Sequence, residues 1–254
     1  MLNQAVIFCG GRGARLKSNT ITKPKPMVIV KKKPFLYHLI LQLKKQGIRN
    51  FLLLTGYKSK VIKSYFGDGS KFDINIEYSW SPTSWETSKR LIKVKKKLND
   101  NFLICYSDNY INFNLKKHLS KFKESDLTLT LIKKKHGNIE INNKKYKYND
   151  VRKDQDFKFV ELGYILMRKK IINSINVKKN KPISFHFNKI FEKYKISSFK
   201  IDHYQSISDT RRLRLTRNFF LEKKILLLDR DGTINQKVKR GRYVTQISKF
   251  NFIK

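Results

Sequence analysis

The feature that most constrains the fold of this chain is a regular alternation of short apolar runs with helical stretches between Gln4 and Tyr110. Four segments have the length and apolar content of buried strands: QAVIFCGG, NFLLLTGY, INIEYSW and NFLICYSDNY. Two helical stretches, PFLYHLILQLKKQG and KSKVIKSYFGDG, separate the first three. This order predicts an α/β protein with a Rossmann-like, mostly parallel mixed sheet and right-handed crossovers.

Two local patterns are specific enough to predict where an element begins, turns or ends. Pro34 stands near the start of the first helix, and Gly47 is positioned to end it. Farther along, NIEINNKKYKY interrupts the alternation and predicts a β-hairpin with Asn142 and Asn143 in its turn. The apolar face of the first helix is formed by Phe35, Leu36, Leu39, Ile40 and Leu43.

Composition limits the classes of protein to consider. The 254 residues carry 57 basic and 19 acidic side chains, a net charge of +38 that raises nucleic acid as a partner. The lysines are spread through every segment, so we do not expect a nucleic-acid surface. No apolar run approaches the roughly 18 residues of a membrane span, and no signal peptide is recognisable, so we expect a cytoplasmic protein without a membrane partner. Cys9 and Cys105 each lie in an apolar run and are expected in a reduced core.

The run FCGGRGARLKSNTITKPKPM is suited to binding an anion. Glycines at positions 10, 11 and 13 (Gly10, Gly11 and Gly13) would let backbone N–H groups approach a phosphate closely. Arg15 and Lys25 would supply positive charge to neutralise it. The sequence therefore predicts a phosphate site directly after the first strand.

A carboxylate is expected at the same place. Asp108 follows the apolar strand in NFLICYSDNY. Because the carboxyl ends of parallel strands meet at one edge of a sheet, Asp108 should lie near the glycine run. An aspartate there is suited to a Mg²⁺ ion that bridges phosphate oxygens.

These segments resemble the signature of the sugar 1-phosphate nucleotidyltransferases. GGRGARL followed by KPKPM carries the likeness, which continues through KKKPFLYHLILQLKKQGI, LLLTGY, YFGDGS, the Asp108 strand and VELGY, over residues 3–220. Members of this family transfer a nucleotidyl group from a nucleoside triphosphate to a sugar 1-phosphate and release pyrophosphate. The resemblance implies these substrates and Mg²⁺ as cofactor. It leaves the oligomeric state open, and a homo-oligomer is one of the alternatives.

The resemblance also assigns roles to individual residues. Arg15 would grip the triphosphate, Lys25 would draw the two phosphates together, and Asp108 would carry Mg²⁺. The implied nucleotide-binding set is Gly10, Gly11, Gly13, Arg15 and Thr87, and the implied sugar-phosphate set is Lys153, Glu161 and Gly163.

The sequence departs from the family pattern at two places. SWETSKRL keeps Thr87 but lacks the glycines of the segment that approaches base and sugar, which leaves the nucleotide open. HYQSISDTRRL has Ser206 where the family has its second metal-binding aspartate. Asp209 is our candidate for the missing ligand.

A second signature lies in the last part of the chain. KKILLLDRDGTIN resembles the first motif of the haloacid dehalogenase (HAD)-like phosphatases, of the histidinol or heptose bisphosphate type. The resemblance implies Asp229 as nucleophile and Asp231 as general acid and base. Only residues 232–254 follow, which leaves no room for the later motifs of that family. We therefore predict a nucleotidyltransferase domain at 1–220 and a partial phosphatase domain without activity at 221–254.

Two hypotheses of function follow. The first is nucleotidyl transfer to a hexose or heptose 1-phosphate, with guanylyl transfer to D-glycero-D-manno-heptose 1-phosphate suggested by the pairing of the two signatures. The product would serve synthesis of a surface polysaccharide such as lipopolysaccharide. The second is a non-catalytic protein of the same fold that binds a nucleotide or polyanion, and magnesium-dependent release of pyrophosphate separates the two.

Overall fold

The computed structural model of the chain describes residues 2–151, 157–176 and 178–221. One unit spans Met1–Phe220, and a second spans Leu221–Lys254. Nearly all of the second unit lies outside the described residues, as do Lys153, Asp229 and Asp231. The phosphatase-like segment therefore stays a prediction.

The described residues form thirteen β-strands and six α-helices. The strands are β1 (Gln4–Cys9), β2 (Ile29–Val30), β3 (Lys33–Pro34), β4 (Asn50–Thr55), β5 (Asn75–Trp80), β6 (Asn101–Tyr106), β7 (Asn109–Ile111), β8 (Leu127–Lys133), β9 (Ile139–Asn142), β10 (Lys145–Tyr148), β11 (Phe159–Arg168), β12 (Ile196–Ile201) and β13 (Tyr204–Ser206). The α-helices are α1 (Phe35–Lys45), α2 (Ser59–Phe66), α3 (Thr87–Lys93), α4 (Leu115–Phe122), α5 (Phe187–Lys193) and α6 (Thr210–Phe220). Of the helices in this part of the chain, none has the length and apolar character to cross a membrane.

The predicted α/β fold is confirmed. Nine strands form a mixed sheet in which β6, β1, β4 and β5 are neighbours and run parallel. On the other side of β6, β11 runs antiparallel and connects the sheet to β8 and to the β9–β10 hairpin. The parallel strands bring the loops that follow them to one edge, which is where the sequence places its polar motifs.

Both faces of β1, β4 and β6 are buried, which explains their continuous apolar sequences, whereas β5 lies at the edge of the sheet and has exposed residues. Alternate residues of β1 and β4 belong to two separate apolar layers, because successive side chains of a strand point to opposite faces. The five apolar residues predicted for the first helix are all buried on α1. Cys9 and Cys105 are buried free thiols, as predicted, and burial raises the pKa of Cys9 to about 12.

The predicted hairpin exists, but its predicted turn was wrong by one residue. Asn142 is the last residue of β9 and pairs with Lys145. The two turn residues are Asn143 and Lys144, whose φ angles are 48° and 64°. A two-residue turn with positive φ at both positions matches the right-handed twist of the flanking strands.

Candidate active site

The glycine run and Asp108 follow neighbouring parallel strands, as predicted. Phe8 of β1 is opposite Tyr106 of β6. The Ser107 hydroxyl donates a hydrogen bond of 2.6 Å to the Phe8 carbonyl, which ties the start of the Asp108 loop to β1. The carboxyl edge of the sheet therefore holds both motifs.

The three glycines of the run have different surroundings. A Cβ atom at Gly11 would meet no other atom within 4 Å, so this part of the backbone is open to a ligand. Gly13 has a φ of +73°, and a Cβ there would lie 2.7 Å from the Cβ of Lys25. A Cβ at Gly10 would lie 2.1 Å from Nη1 of Arg90. Gly13 thus lets the chain pass over Lys25, and Gly10 leaves room for Arg90.

Lys25 and Asp108 form an ion pair with an Nζ–Oδ2 distance of 2.7 Å. Pro24 precedes Lys25 in extended conformation, and a short 3₁₀ helix, Lys25–Met27, directs the lysine toward the sheet edge. Arg15 lies exposed in another 3₁₀ helix, Ala14–Thr20, directly after the glycine run. The site thus combines open backbone N–H groups, an accessible guanidinium and a lysine that neutralises a carboxylate.

The segment containing Asp209 lies next to Asp108. β13 pairs with β7, and the Ile207 N–H donates a hydrogen bond of 2.9 Å to the Asp108 carbonyl. The Asp209 carboxylate accepts hydrogen bonds from the Arg212 N–H, at 2.8 Å, and from the Ser208 hydroxyl, at 3.1 Å. The Arg212 N–H is the main cause that lowers the pKa of Asp209, and the Arg15 charge contributes. The Asp209 carboxylate is therefore close enough for the Arg15 charge to help lower its pKa. Its hydrogen bonds, however, are used to cap the start of α6.

Asp108 fits a Mg²⁺ ion that is shared with a substrate. No group of three or more His, Cys, Asp or Glu side chains suited to a metal occurs among the described residues. Mg²⁺ commonly uses one or two protein carboxylates together with water and substrate phosphates, so Asp108 alone suffices for that mode. Asp209 could join it only if it released hydrogen bonds that cap α6.

The VELGY segment forms an irregular part of β11 beside Asp108. The pairing of β11 with β8 shifts between Glu161 and Ile165. The Glu161 carboxylate accepts a hydrogen bond from the Gly163 N–H, while burial, with a smaller contribution from Asp108, raises its pKa to about 8. Gly163 has a φ of +77°, and a Cβ there would lie 2.3 Å from the Tyr106 ring. Glu161 and Gly163 thus lie at the Asp108 side of the site.

Thr87 is the first residue of α3, and the loop of residues 180–183 contacts the start of this helix. Its Oγ1 accepts a hydrogen bond of 2.8 Å from the Ile183 N–H. The Asn180 side chain accepts from the Glu86 N–H at 2.8 Å, and the Ser88 hydroxyl donates to the Lys181 carbonyl. Glu86 is extended, with φ −76° and ψ 168°, so this backbone does not require glycine there.

Arg90 belongs to the site but was not predicted from the sequence. This residue is 4% exposed and lies directly beneath Gly10. Its guanidinium donates hydrogen bonds to the carbonyls of Thr55 at 2.9 Å, Pro82 at 2.6 Å and Trp85 at 2.8 Å. Its one sequence signal is a basic residue next to the buried Leu91, which is weak in a chain with 57 basic residues.

The chain is similar to several known proteins. A D-glycero-alpha-D-manno-heptose 1-phosphate guanylyltransferase of Campylobacter jejuni is 38% identical over 128 residues, which cover 50% of this chain and 57% of the relative. A glucose-1-phosphate cytidylyltransferase of Salmonella typhimurium is 28% identical over 200 residues, covering 68% of this chain and 78% of the relative. HddC from Yersinia pseudotuberculosis, solved in complex with GMP-PN, shares the fold with a TM-score of 0.72 at 22% identity, covering 87% of this chain and all of that one.

The family match includes part of the candidate site. This chain spans little more than half the length of the heptose 1-phosphate guanylyltransferases that it matches. The profile of the nucleotidyl transferase family matches residues 4–142, which contain the glycine run, Lys25, Thr87 and Asp108. Because this match covers more than half of the chain and its motifs meet at one edge of the sheet, the chain belongs to the nucleotidyl transferase family.

Proposed function

We propose that this chain transfers a nucleotidyl group from a nucleoside triphosphate to a sugar 1-phosphate and releases pyrophosphate. The observation that carries the proposal is the Lys25–Asp108 ion pair beside the open backbone of Gly11, within the region that matches the family. Nucleotidyl transfer depends mainly on positioning an in-line attack and on neutralising phosphate charge. This site offers backbone donors, cationic side chains and one carboxylate for those tasks.

The residues of the site divide the task among them. Backbone N–H groups near Gly11 receive the triphosphate, and Arg15 grips it from the exposed side of the loop. Lys25 leaves its ion pair with Asp108, binds the phosphates and draws them together. The released Asp108 carboxylate would hold Mg²⁺, which would supply positive charge to neutralise phosphate oxygens. The attacking phosphate of the sugar then meets the α-phosphorus in a site of reduced charge.

We assign the sugar side of the site to Glu161 and Gly163, with Lys153 on the sugar phosphate. Support comes from the proximity of Glu161 to Asp108, which is close enough for the Asp108 charge to help raise the Glu161 pKa. Thr87 remains our candidate for a nucleotide contact, although its hydroxyl already accepts the Ile183 N–H.

We infer that the first substrate pair to test is GTP with D-glycero-D-manno-heptose 1-phosphate. The activity of the Campylobacter relative and the GMP-PN complex of HddC support this pair. The Salmonella relative makes CTP with glucose 1-phosphate the second pair. Activated sugars of this kind serve surface polysaccharides such as lipopolysaccharide, and we place the protein in the cytoplasm, where those activated sugars are made.

One observation favours a second candidate function. The carboxylate of Asp209, the candidate second metal ligand, is engaged in capping α6. A site with a single available carboxylate could bind a nucleotide or polyanion without catalysis. This alternative predicts nucleotide binding without release of pyrophosphate.

For residues 221–254 we retain the phosphatase-like assignment as a proposal. A phosphoaspartate mechanism with Asp229 and Asp231 also requires a cation and further carboxylates to seat Mg²⁺. Residues 232–254 contain no Asp or Glu and so supply none of these carboxylates. We therefore expect no hydrolysis of a sugar bisphosphate, and metal-dependent hydrolysis abolished by Asp229→Asn would overturn this expectation.

A pyrophosphate-release screen tests the main proposal. The purified chain is assayed with each of four nucleoside triphosphates against glucose, mannose and heptose 1-phosphates, with and without Mg²⁺. We expect magnesium-dependent turnover with at least one pair, and loss of about a hundredfold in Arg15→Ala, since one transition-state donor is removed. A folded wild-type chain that binds GTP but releases no pyrophosphate with any pair supports the alternative instead.

A further inference from the structure

Arg90 combines deep burial with the absence of a contacting counter-ion. Among the residues that the structure describes, no carboxylate lies within 4.0 Å of its guanidinium nitrogens. Desolvation is the main cause that lowers its pKa, and the charge of Glu86 opposes that shift only in part. A guanidinium stays protonated in proteins even so, because its ordinary pKa lies far above neutral pH. Within the described residues this positive charge is therefore buried without an ion pair, and its hydrogen bonds to three carbonyls offset only part of the desolvation cost.

The hydrogen bonds of Arg90 join two loops at the carboxyl edge of the sheet. Nη1 bonds the Thr55 carbonyl at the end of β4, and Nη2 and Nε bond Pro82 and Trp85 in the loop after β5. Three of the five N–H donors of the guanidinium are used in this way. The planar fork of arginine suits it to fixing several acceptors at once, whereas lysine is a point charge.

Two glycines create the space that the guanidinium occupies. The three atoms nearest to a Cβ added at Gly10 all belong to Arg90, and a Cβ at Gly56 would lie 3.1 Å from its Nη1. Gly10 does not have a left-handed φ, so its backbone would accept alanine. The demand for glycine at this position comes from Arg90.

We propose that Arg90 is a positioning residue of the nucleotide pocket, which fastens the loop of residues 81–86 to the ends of β1 and β4 and holds a positive charge under the phosphate-binding loop. The inference rests on the proposed function and extends it to a residue behind the site. Arg90 touches no reacting atom. It supports triphosphate binding equally in the ground state and in the transition state, so it acts on the KM for the nucleotide and not on kcat.

Arg90→Met tests this role because it removes the charge and the fork while keeping a long side chain. We expect the KM for GTP, and its Kd measured by calorimetry, to rise roughly tenfold, the size of one lost hydrogen bond to a charged group. The kcat and the KM for the sugar 1-phosphate should stay near wild type. The KM of Arg90→Lys for GTP should lie between the values for the wild type and for Arg90→Met. Lys93→Met is the matched control, since Lys93 bonds the Trp80 carbonyl from the exposed side of the same helix and should leave the KM for GTP unchanged.

A double-mutant cycle with Gly10→Ala covers the case in which Arg90→Met is hard to produce. The alanine methyl displaces the guanidinium without altering the charge of the chain, so Gly10→Ala should also raise the Kd for GTP. Combined with Arg90→Lys or Arg90→Met, it should add little further, because both changes disturb one contact.

The outcomes separate the two proposals. A wild-type chain that turns over, with an unchanged Kd and KM for GTP in Arg90→Met, overturns the role of Arg90 alone. Fully multiplicative effects of Gly10→Ala and Arg90→Met overturn it too. A wild-type chain that binds GTP but releases no pyrophosphate with any pair of the screen overturns the proposed function, and the Kd of the variants for GTP still decides on Arg90. A chain that binds none of the four nucleoside triphosphates overturns both.

Discussion

Replacing Lys25 by methionine probes the centre of the proposed site. The Nζ of Lys25 lies 2.7 Å from Oδ2 of Asp108, and a Cβ at Gly13 would touch the aliphatic stem of the lysine. Methionine preserves most of that stem, so the substitution removes the charge while it keeps the packing against Gly13. The variant therefore isolates the electrostatic contribution of Lys25.

The exposure of the pair fixes the expected loss of stability. The side chains of Lys25 and Asp108 are 14% and 28% exposed, which places the pair between a surface salt bridge and a buried one. A surface pair contributes about 0–1 kcal/mol, and breaking a fully buried pair costs about 3–5 kcal/mol. We expect a loss of about 1–2 kcal/mol in the free energy of unfolding, which a domain stable by about 5–15 kcal/mol tolerates.

The effect on turnover should be larger than the effect on stability. Loss of one preorganised donor to the transition state costs about 3 kcal/mol, or roughly a hundredfold in kcat. Pyrophosphate release measures kcat, and urea unfolding measures stability. Lys60→Met, at an exposed position of α2, is the control and should match wild type in both. A folded Lys25→Met chain whose kcat stays within about threefold of wild type would refute the reasoning.

Four further changes test the neighbouring residues. Asp108→Asn should shift the magnesium titration of activity to higher concentration, and an unchanged titration would remove Asp108 from the site. Asp209→Asn retains an acceptor to cap α6, so a shifted titration there identifies Asp209 as the second ligand, and an unshifted one excludes it. Gly163→Ala should lower the free energy of unfolding by about 2–3 kcal/mol, because its φ of +77° and the Tyr106 ring oppose a Cβ; an unchanged urea midpoint would contradict this. Glu161 has its pKa raised from 4.5 to about 8, so the folded chain binds this proton more tightly than the unfolded chain. The free energy of unfolding should fall as pH rises from about 4.5 to about 8, and Glu161→Gln should flatten that fall; equal slopes would argue against the raised pKa.

The sequence was sufficient to predict the parallel core and the sheet edge at which the glycine run and Asp108 lie. The apolar periodicity of α1 is local, so it can be read without knowledge of any contact. The proximity of the glycine run to Asp108, through Gly13 and Lys25, was also predictable, because parallel neighbouring strands present their carboxyl ends at one edge. The turn of the β9–β10 hairpin was misplaced by one residue. Asn142, Asn143 and Lys144 all allow a tight turn locally, and the pairing of Asn142 with Lys145 decides among them.

The sequence by itself thus determined the α/β class, the buried thiols, and which loops converge around Lys25 and Asp108. The tertiary structure alone decided the surroundings of Arg90 and Asp209. Arg90 differs from the other basic residues only through the carbonyls that surround it, and those belong to Thr55 and to the loop of residues 81–86. Burial and hydrogen bonding depend on what the fold brings next to a side chain, and one-dimensional patterns do not contain that information.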